Sequence, residues 1–440
     1  MARHAPLDAD ILIVGAGVLG VTVAYWLSNL YDCKIVLAES SEVAGAHTSS
    51  RNTGVIHRPF YLDPEKKRVF ARTSRVSYPL WQALAESAGL PWKPVGTFNV
   101  ALDEAEVRTL ERYLVWGLKN GMGDSELELL DQAGVGPLEP EVRCVAGLLS
   151  RTDVSVDFGI FTRYIWRVLA SAGVRFLGGH RATTFTRVDG VTEVGFRTLS
   201  GRSSVRCRLV INTAGGAALD IAHACGLGDE YAALNFRGEY WIVDEPFASR
   251  VTSNIYRPPR FPQFPFLDPH FVVRSDGSRQ IGPNAVLVPG PYVYSGVGLS
   301  QLLSLLGRPM GPKVDLMTDG NFLTLLAGEW RSSVSKHAMC ARVQKFVPRL
   351  SSRILRRRAV FGVRTSVVGP SGFVPEALLL KGERSAHVIN YNSPGATGAP
   401  AYSASVVGEL RSAGMLDGFG TRAPRQLIRG WDFDAVASAP

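Results

Sequence analysis

A glycine motif near the N-terminus limits the folds open to this chain more than any other feature. The short apolar run ILIVG at 11–15 has the composition of a buried parallel strand, and GAGVLG follows at 15–20. The next segment, 21–30, has helical length and an apolar stripe, and KIVLAE at 34–39 has the composition of a second buried strand. This order of elements predicts a βαβ unit of about 30 residues.

The motif matches GxGxxG in the strand-to-helix context that a dinucleotide site requires. Gly15 permits the tight turn, Gly17 lets a pyrophosphate approach the backbone, and Gly20 lets the helix pack closely on the strand. Glu39 follows about 20 residues later, where a carboxylate can accept hydrogen bonds from ribose hydroxyls. The sequence therefore predicts a bound dinucleotide, and the acidic residue argues against NADP.

Two further strands run into glycine-rich turns far along the chain, at 213–216 and 393–398. A flavin needs both its adenine end and its isoalloxazine ring held, so an FAD site draws on distant segments. We therefore predict FAD, bound without a covalent link, rather than NAD. The fold class is predicted to be α/β, with a discontinuous Rossmann-like FAD-binding domain and a second domain built from the intervening segments.

At 440 residues the chain is too long for one ordinary core, which predicts two interleaved domains. The FAD-binding domain is predicted to comprise 1–85, 150–220 and 350–425, the substrate domain 86–149 and 221–349, and a loosely held tail 426–440. Beyond the first helix, helices are predicted at 64–88, 104–121, 162–173, 300–306, 318–348 and 393–411.

Composition narrows the classes of protein that remain. The formal net charge of +9 suits an anionic substrate, an acidic membrane surface or nucleic acid. The RILRRR cluster at 353–358 lacks interleaved aromatic residues, so we expect no nucleic-acid partner. The 5 cysteines form no CxxC pair, no run has the length of a membrane helix, and the N-terminus lacks a signal-peptide core. We expect no metal site and a cytoplasmic protein, with peripheral binding at the inner membrane face left open.

Six motifs are spread along nearly the whole chain. They are TGVIH at 53–57, RGEY at 237–240, IGPNAVL at 281–287, VQKFVPRL at 343–350, GVR at 362–364, and Asn390 with SPGAT at 393–397. In this order they resemble the D-amino-acid-oxidase-like FAD oxidoreductases, and more closely the L-2-hydroxyglutarate oxidase/dehydrogenase family. The resemblance implies an antiparallel-sheet α+β substrate domain interleaved with the flavin domain. It also implies oxidation of a small 2-hydroxy acid to the 2-oxo acid, with electrons passed to quinone or oxygen.

The cofactor contacts are predicted from the turns and from this resemblance. A helix that begins at Gly395-Ala396-Thr397 would direct its first N–H groups at the flavin ring, and Gly215 would lie along the diphosphate or adenosine. The resemblance implies that the adenine lies against the backbone of Ala182. Further cofactor contacts are expected from Ser40, Asn52, Thr53, Gly54 and Val55.

Oxidation of a 2-hydroxy acid removes the C2 hydrogen as hydride and the hydroxyl proton to a base. His57 is the candidate base, because the ordinary pKa of histidine, near ~6.5, suits proton abstraction at neutral pH. Alternatively, His57 only hydrogen-bonds the flavin or fixes its loop. The substrate carboxylate needs a planar double donor, for which Arg364 is the first candidate and Arg237 and Arg58 follow. Each of these arginines could instead form a structural ion pair.

The resemblance adds Tyr240 as a donor to the carboxylate and His270 as a substrate contact. Tyr240 could equally be a packing residue of a strand, and His270 a structural residue of its Pro-rich bend. The chain departs from the family pattern at Arg58-Pro59, at 64–68 and at 374–377, so the resemblance leaves the exact acid open.

Other functions remain to be weighed against a 2-hydroxy-acid dehydrogenase or oxidase. An amine or amino-acid oxidase on the same scaffold would not need His57 as a base, because a neutral amine reacts through its lone pair. An RNA-modifying flavoprotein would need a continuous basic face with stacking aromatic residues. A flavin-binding protein without activity would have no use for the substrate-side motifs. The sequence does not indicate an oligomeric state.

Overall fold

The structure is a computed structural model, and it describes residues 6–296, 316 and 318–439. The strands are β1 (Leu7–Val14), β2 (Tyr31–Asp32), β3 (Ile35–Ala38), β4 (Val55–Ile56), β5 (Lys93–Pro94), β6 (Thr97–Ala101), β7 (Leu127–Asp131), β8 (Ala146–Ser150), β9 (Val154–Ser155), β10 (Arg175–Leu177), β11 (Arg181–Val188), β12 (Val191–Thr198), β13 (Gly201–Asn212), β14 (Ala232–Gly238), β15 (Trp241–Val243), β16 (Asn254–Tyr256), β17 (His270–Val273), β18 (Arg279–Gly282), β19 (Val286–Val288), β20 (Leu355–Arg358), β21 (Gly362–Gly369), β22 (Gly372–Phe373), β23 (Leu378–Lys381), β24 (Ser385–Ile389) and β25 (Gly420–Thr421). The helices are α1 (Val18–Leu30), α2 (Arg68–Ala88), α3 (Glu104–Lys119), α4 (Gln132–Leu138), α5 (Phe158–Ser171), α6 (Ala218–Ala224), α7 (Gly320–Val334), α8 (Lys336–Val343), α9 (Gly395–Ser412) and α10 (Phe433–Ser438).

The first sheet confirms the predicted βαβ unit. Strands β10, β3, β1, β13 and β24 are parallel neighbours in that order, and the antiparallel strands β12, β11 and β23 complete the sheet. Every residue of α1 is buried, because the helix is packed between the sheet, α5 and α9. Such a helix must be apolar on all sides, which explains its run of Val, Leu, Ala, Tyr and Trp.

A second sheet has the order β20-β15-β18-β17-β16-β6-β8-β7, and all its pairs except β16–β6 are antiparallel. One face of this sheet carries its own apolar core with α8, centred on Phe98, Phe271 and Phe346. The mixed architecture and its sheets confirm the predicted fold class.

A third, four-stranded sheet has the order β19-β14-β21-β22. Its central pair places Phe236 of β14 directly opposite Arg364 of β21. Strands β20 and β21 come from the segment assigned above to the FAD-binding domain, yet they pair with β15 and β14. The exact domain bounds stay a prediction.

Two of the expected elements differ in detail. The helix predicted at 318–348 is two helices, because Ser335 has an extended backbone and caps α8 by accepting a hydrogen bond from the N–H of Ala338. Proline and glycine do not occur at this break, so no sequence signal marked it. The helix predicted at 300–306 lies outside the described residues.

The expectation of a loosely held tail after residue 425 is wrong. Trp431 is 1% exposed, stacks on Trp26 with ring centroids 5.7 Å apart, and donates from Nε1 to the carbonyl of Leu80 at 2.9 Å. Phe433 and Val436 of α10 pack into the same core. The C-terminal segment therefore holds α1 and α2 together. Among the described residues, none of the helices combines the length and the apolar character needed to span a bilayer.

Candidate active site

A cleft runs between the first sheet and the four-stranded sheet. Its walls come from segments that are far apart in sequence, namely the glycine turn after β1, the loop around β4, strands β14 and β21, and the start of α9. The predicted residues that line it are Gly17, Asn52, Thr53, Gly54, Val55, His57, Gly215, Tyr240, His270, Arg364, Gly395, Ala396 and Thr397. Most of the predicted site residues therefore converge on one cavity.

The glycine turn has the geometry that a pyrophosphate site requires. Gly15 has φ +104°, and a Cβ there would lie 2.6 Å from the carbonyl oxygen of Thr213. A Cβ on Gly20 would lie 1.8 Å from the carbonyl oxygen of Gly15. Gly17 precedes α1 and leaves the N-terminus of the helix open to the cleft. Gly15 and Gly20 therefore let the strand, the turn and α1 pack closely, and Gly17 leaves the first turn of α1 open, so the turn fits a ligand whose phosphates approach the backbone.

The predicted adenosine contacts lie beyond the cleft lining. One oxygen of Glu39 accepts from the N–H of Ala16 at 2.9 Å, and the other accepts from Ser40 Oγ at 2.8 Å. The ring of His47 lies 4.6 Å from that of Tyr292, and its Nδ1 is 2.8 Å from Tyr294 Oη. These two tyrosines, which the sequence did not single out, cover the Glu39 side of the turn. The adenosine roles of Glu39, Ser40 and Ala182 stay predictions.

The segment before His57 is fixed against the start of α9. The side chain of Asn52 accepts from the N–H of Gly54 at 2.9 Å, which closes a local turn. The hydroxyl of Thr397 accepts from the N–H of His57 at 3.3 Å. Trp81 of α2 donates to the carbonyl of Thr397 at 2.8 Å. The N-terminus of an 18-residue helix therefore faces the same part of the cleft as His57, where it stabilises negative charge.

His57 has a buried carboxylate partner that the sequence did not reveal. Its Nδ1 lies 2.9 Å from Oδ2 of Asp153, whose side chain is 0% exposed. A carboxylate only accepts hydrogen bonds, so Nδ1 carries the proton and Nε2 is left as an acceptor. On that side Tyr256 Oη lies 3.4 Å from Nε2. Asp153 is 96 residues from His57 in the chain, and it precedes the short strand β9 with no motif around it.

His270 presents an unpartnered nitrogen to the same cleft. Its Nδ1 donates to the carbonyl of Asp268 at 3.1 Å, and its ring stacks on Tyr256 with centroids 3.9 Å apart. Nε2 is buried without a hydrogen-bond partner among the described residues. Burial lowers the pKa of His270 to about 3, so the ring stays neutral and Nε2 stays an acceptor. Nε2 has almost no exposed surface, so the ring shapes the wall of the cleft and keeps an unused acceptor within it.

Among the described residues two arginines line the cleft. The guanidinium of Arg51 lies 4.2 Å from the centroid of the Tyr294 ring, and Arg364 lies on the substrate side. One of its terminal nitrogens donates to the carbonyl of Pro265, and the structure gives it no acidic partner among the described residues. Burial lowers its pKa, and the nearby hydroxyls of Tyr240 and Tyr61 act in the opposite direction. A guanidinium keeps its charge in proteins. An unpaired, partly desolvated guanidinium is a binding site for a carboxylate.

The two other candidate arginines do not line the cleft. Arg237 is buried and forms an ion pair with Glu239, with Nη2 and Oε1 2.8 Å apart. It follows Phe236 on β14, and Phe236 faces the cleft, so strand alternation turns Arg237 to the opposite face. Arg58 pairs with Glu126 at 2.7 Å and lies over the ring of Tyr78. The carboxylate-binding role considered for Arg58 therefore has no support from these contacts.

Tyr240 is buried and lines the cleft, with its hydroxyl 2.9 Å from Thr53 Oγ1. Burial raises its pKa, so the phenol keeps its proton at neutral pH and can donate it in a hydrogen bond. Phe236 and Phe266, whose ring centroids are 4.3 Å apart, form an apolar wall next to Arg364. The substrate side of the cleft therefore combines the guanidinium of Arg364, two histidines and aromatic surface.

Comparison with known proteins agrees with this geometry. The family model described as FAD dependent oxidoreductase matches residues 10–410. The chain is 27% identical to the L-2-hydroxyglutarate dehydrogenase of Escherichia coli K12, over 92% of this chain and 93% of that protein. It is 26% identical to the mitochondrial L-2-hydroxyglutarate dehydrogenase of Homo sapiens, over 91% and 88% of the two chains.

Solved structures share the fold. The L-alpha-glycerophosphate oxidase of Mycoplasma pneumoniae, solved with FAD bound, superposes with a TM-score of 0.71 at 20% identity and covers 94% of this chain and 96% of its own. The L-proline dehydrogenase of P. horikoshii superposes with a TM-score of 0.66 at 16% identity, over 96% of each chain.

These matches confirm the predicted resemblance and the predicted cofactor. The glycine turn that excludes side chains, the open N-terminus of α1 and the N-terminus of α9 fit the phosphates and the ring of FAD. The noncovalent attachment of the flavin stays a prediction. The chain belongs to the family of FAD-dependent oxidoreductases.

Proposed function

We propose that this enzyme oxidises a small 2-hydroxy acid to the 2-oxo acid, with L-2-hydroxyglutarate as the first acid to test. The observation that carries the proposal is that His57, His270 and Arg364 line one cleft beside the start of α9. The curated relatives, named L-2-hydroxyglutarate dehydrogenases, support this choice of acid. The proposed acceptor of the electrons is a quinone or oxygen.

The carboxylate of the substrate would bind to Arg364. Its guanidinium offers a planar fork of N–H donors and has no acidic partner among the described residues. Tyr240, a buried phenol on the same wall, would donate a further hydrogen bond. The surrounding aromatic residues exclude water and so strengthen the charged contact.

The hydroxyl of the substrate would then lie against Nε2 of His57. His57 Nε2 is an acceptor because its Nδ1–H is directed at Asp153, and it would take the hydroxyl proton. The hydroxyl has only one proton, so His270, whose ring stays neutral, would not share it and would shape the wall of the cleft with Tyr256. FAD, when bound, accepts the C2 hydrogen as hydride.

The reaction can be tested by mixing the oxidised, yellow holoenzyme with single compounds under anaerobic conditions. The compounds are L- and D-2-hydroxy acids and the matching amino acids. Bleaching of the flavin band by a hydroxy acid supports the proposal. Bleaching by amino acids alone would overturn it in favour of an amine or amino-acid oxidase. In that case His57→Gln should leave most of the activity, whereas it should disable a hydroxy-acid enzyme.

A further inference from the structure

We propose that Asp153 is the positioning residue that holds the proton of His57 on Nδ1 and so keeps Nε2 ready to accept the hydroxyl proton of the substrate. The proposal rests on the proposed function, since it assigns a partner to the base of that reaction. It concerns an aspartate that does not line the cleft, and it acts only through His57.

The contact between the two side chains is short and dry. Asp153 Oδ2 is 2.9 Å from His57 Nδ1, and the side chains are 0% and 11% exposed. A buried carboxylate must be compensated by hydrogen bonds, and the imidazole N–H supplies one of them. Reversing the tautomer would leave two acceptors facing each other in a water-free site, which is strongly unfavourable.

The carboxylate itself cannot turn away from His57. Its other oxygen, Oδ1, accepts from the N–H of Arg58 at 3.0 Å and from Ser150 Oγ at 2.7 Å. The backbone next to it is paired too, because Ile56 of β4 lies opposite Val154 of β9. All the hydrogen bonds to Asp153 therefore direct one oxygen at Nδ1.

Arg58 acquires a role in this arrangement, although its side chain does not reach the substrate. The guanidinium is 2.7 Å from Glu126 and lies 4.5 Å from the centroid of the Tyr78 ring. These contacts anchor the residue whose backbone N–H binds Asp153. The Arg58-Pro59 step, where the chain departs from its family pattern, therefore lies next to the positioning residue rather than next to the substrate.

The consequence for the reaction is a defined proton path. The O–H bond of the substrate breaks, an N–H bond forms at His57 Nε2, and the C2 hydrogen leaves with both electrons to the flavin. The imidazole then carries a positive charge, which the carboxylate of Asp153 stabilises without taking the proton. The products are the 2-oxo acid, the reduced flavin and a proton that His57 returns to solvent.

The tautomer can be read directly from the wild-type holoenzyme by nitrogen NMR with ¹⁵N-labelled histidine, assigned with His57→Gln. We expect His57 at neutral pH to show a protonated Nδ1 and an unprotonated Nε2. In Asp153→Asn the amide NH₂ faces Nδ1, so the proton should move to Nε2. Asp157→Asn is the matched control, because Asp157 only caps α5 and does not touch His57. A wild-type His57 with its proton on Nε2 would overturn the proposal, whatever the variants do.

The rate of flavin reduction is measured on the same proteins, namely the wild type, Asp153→Asn and Asp157→Asn. A general base contributes on the order of 10²–10⁴-fold to a rate, so Asp153→Asn should slow flavin reduction by about 100-fold or more at saturating acid. The acid concentration for half saturation should change little, because Asp153 does not contact the substrate. An equal loss in Asp157→Asn, or a loss confined to the half-saturating concentration, contradicts a positioning role. If the tautomer is as expected but no hydroxy acid reduces the flavin, the proposed function fails while the assignment of Asp153 stands.

Discussion

Replacing Arg364 tests how the substrate is held. In Arg364→Met the fork of N–H donors is lost, while the length and the apolar contacts of the side chain are largely kept. In Arg364→Lys one charge remains but the second, parallel hydrogen bond is lost. Both variants leave the FAD contacts of the glycine turn untouched, because Arg364 lies on β21, on the opposite wall of the cleft.

The size of the effect follows from the surroundings of the guanidinium. Truncating one partner of a buried, hydrogen-bonded charge pair costs about 2–5 kcal/mol. The carbonyl of Pro265 occupies one donor, so we take a value of about 3 kcal/mol for the donors that remain. At ~1.4 kcal/mol per tenfold change, Arg364→Met should weaken carboxylate binding by about 150-fold. Arg364→Lys should weaken it by roughly tenfold, since the charge remains.

Two readouts separate binding from chemistry. The first is the dissociation constant of an unreactive 2-oxo acid, followed by the change it causes in the flavin spectrum. The second is kcat/KM for the hydroxy acid. Arg356→Met is the control, because Arg356 lies on β20, the strand before β21 in the chain, and its side chain is 79% exposed. If Arg364→Met binds the 2-oxo acid within twofold of wild type, Arg364 is not the carboxylate site.

Three further outcomes follow from the structure. Gly20→Ala should give a protein without bound flavin or a misfolded one, because the added Cβ would lie 1.8 Å from the carbonyl oxygen of Gly15. The ratio of flavin to protein absorbance measures the loss. Gly408→Ala is the control and should stay yellow, because Gly408 has open space around it. Burial lowers the pKa of His387 to about 4. Below pH ~6.5 the unfolded chain binds a proton at this histidine that the folded chain does not bind, so the free energy of unfolding falls by up to about 3 kcal/mol between about pH 6.5 and 4. Urea unfolding of His387→Asn should show a smaller loss over that range. Trp431→Ala should lower the free energy of unfolding by about 3–5 kcal/mol with an unchanged flavin reduction rate; an effect under 1 kcal/mol would mean that the C-terminal segment is not part of the core.

Local patterns predicted the glycine turn and the strand and helix on either side of it well. The strand, the glycine turn and the apolar helix are consecutive in the chain, and each needs a residue type that the sequence displays, such as Gly15 at φ +104°. His57 was found because it follows a motif. Arg237 and Arg364 looked alike, since each lies on a strand. The spacing of Arg237 and Glu239 could have separated them, because residues two apart on a strand share a face and can pair.

What the sequence could not predict are contacts between distant segments. Asp153 meets His57 only because β4 pairs with β9. Trp431 is buried because α1 and α2 leave space between them, and no periodicity in a six-residue helix signals that. The two tyrosines over His47 belong to a loop whose position depends on the packing of the four-stranded sheet. Each of these required the tertiary arrangement.

The most direct measurement of the central claim is an anaerobic titration of the oxidised holoenzyme with L-2-hydroxyglutarate, with the product identified. The account predicts that the flavin band bleaches and that one 2-oxo acid forms per flavin reduced. His57→Gln, with the same flavin content, should bleach at least 100-fold more slowly, in line with the contribution of a general base. The account would be contradicted if no 2-hydroxy acid bleached the flavin while an amino acid did, or if His57→Gln reacted at the wild-type rate.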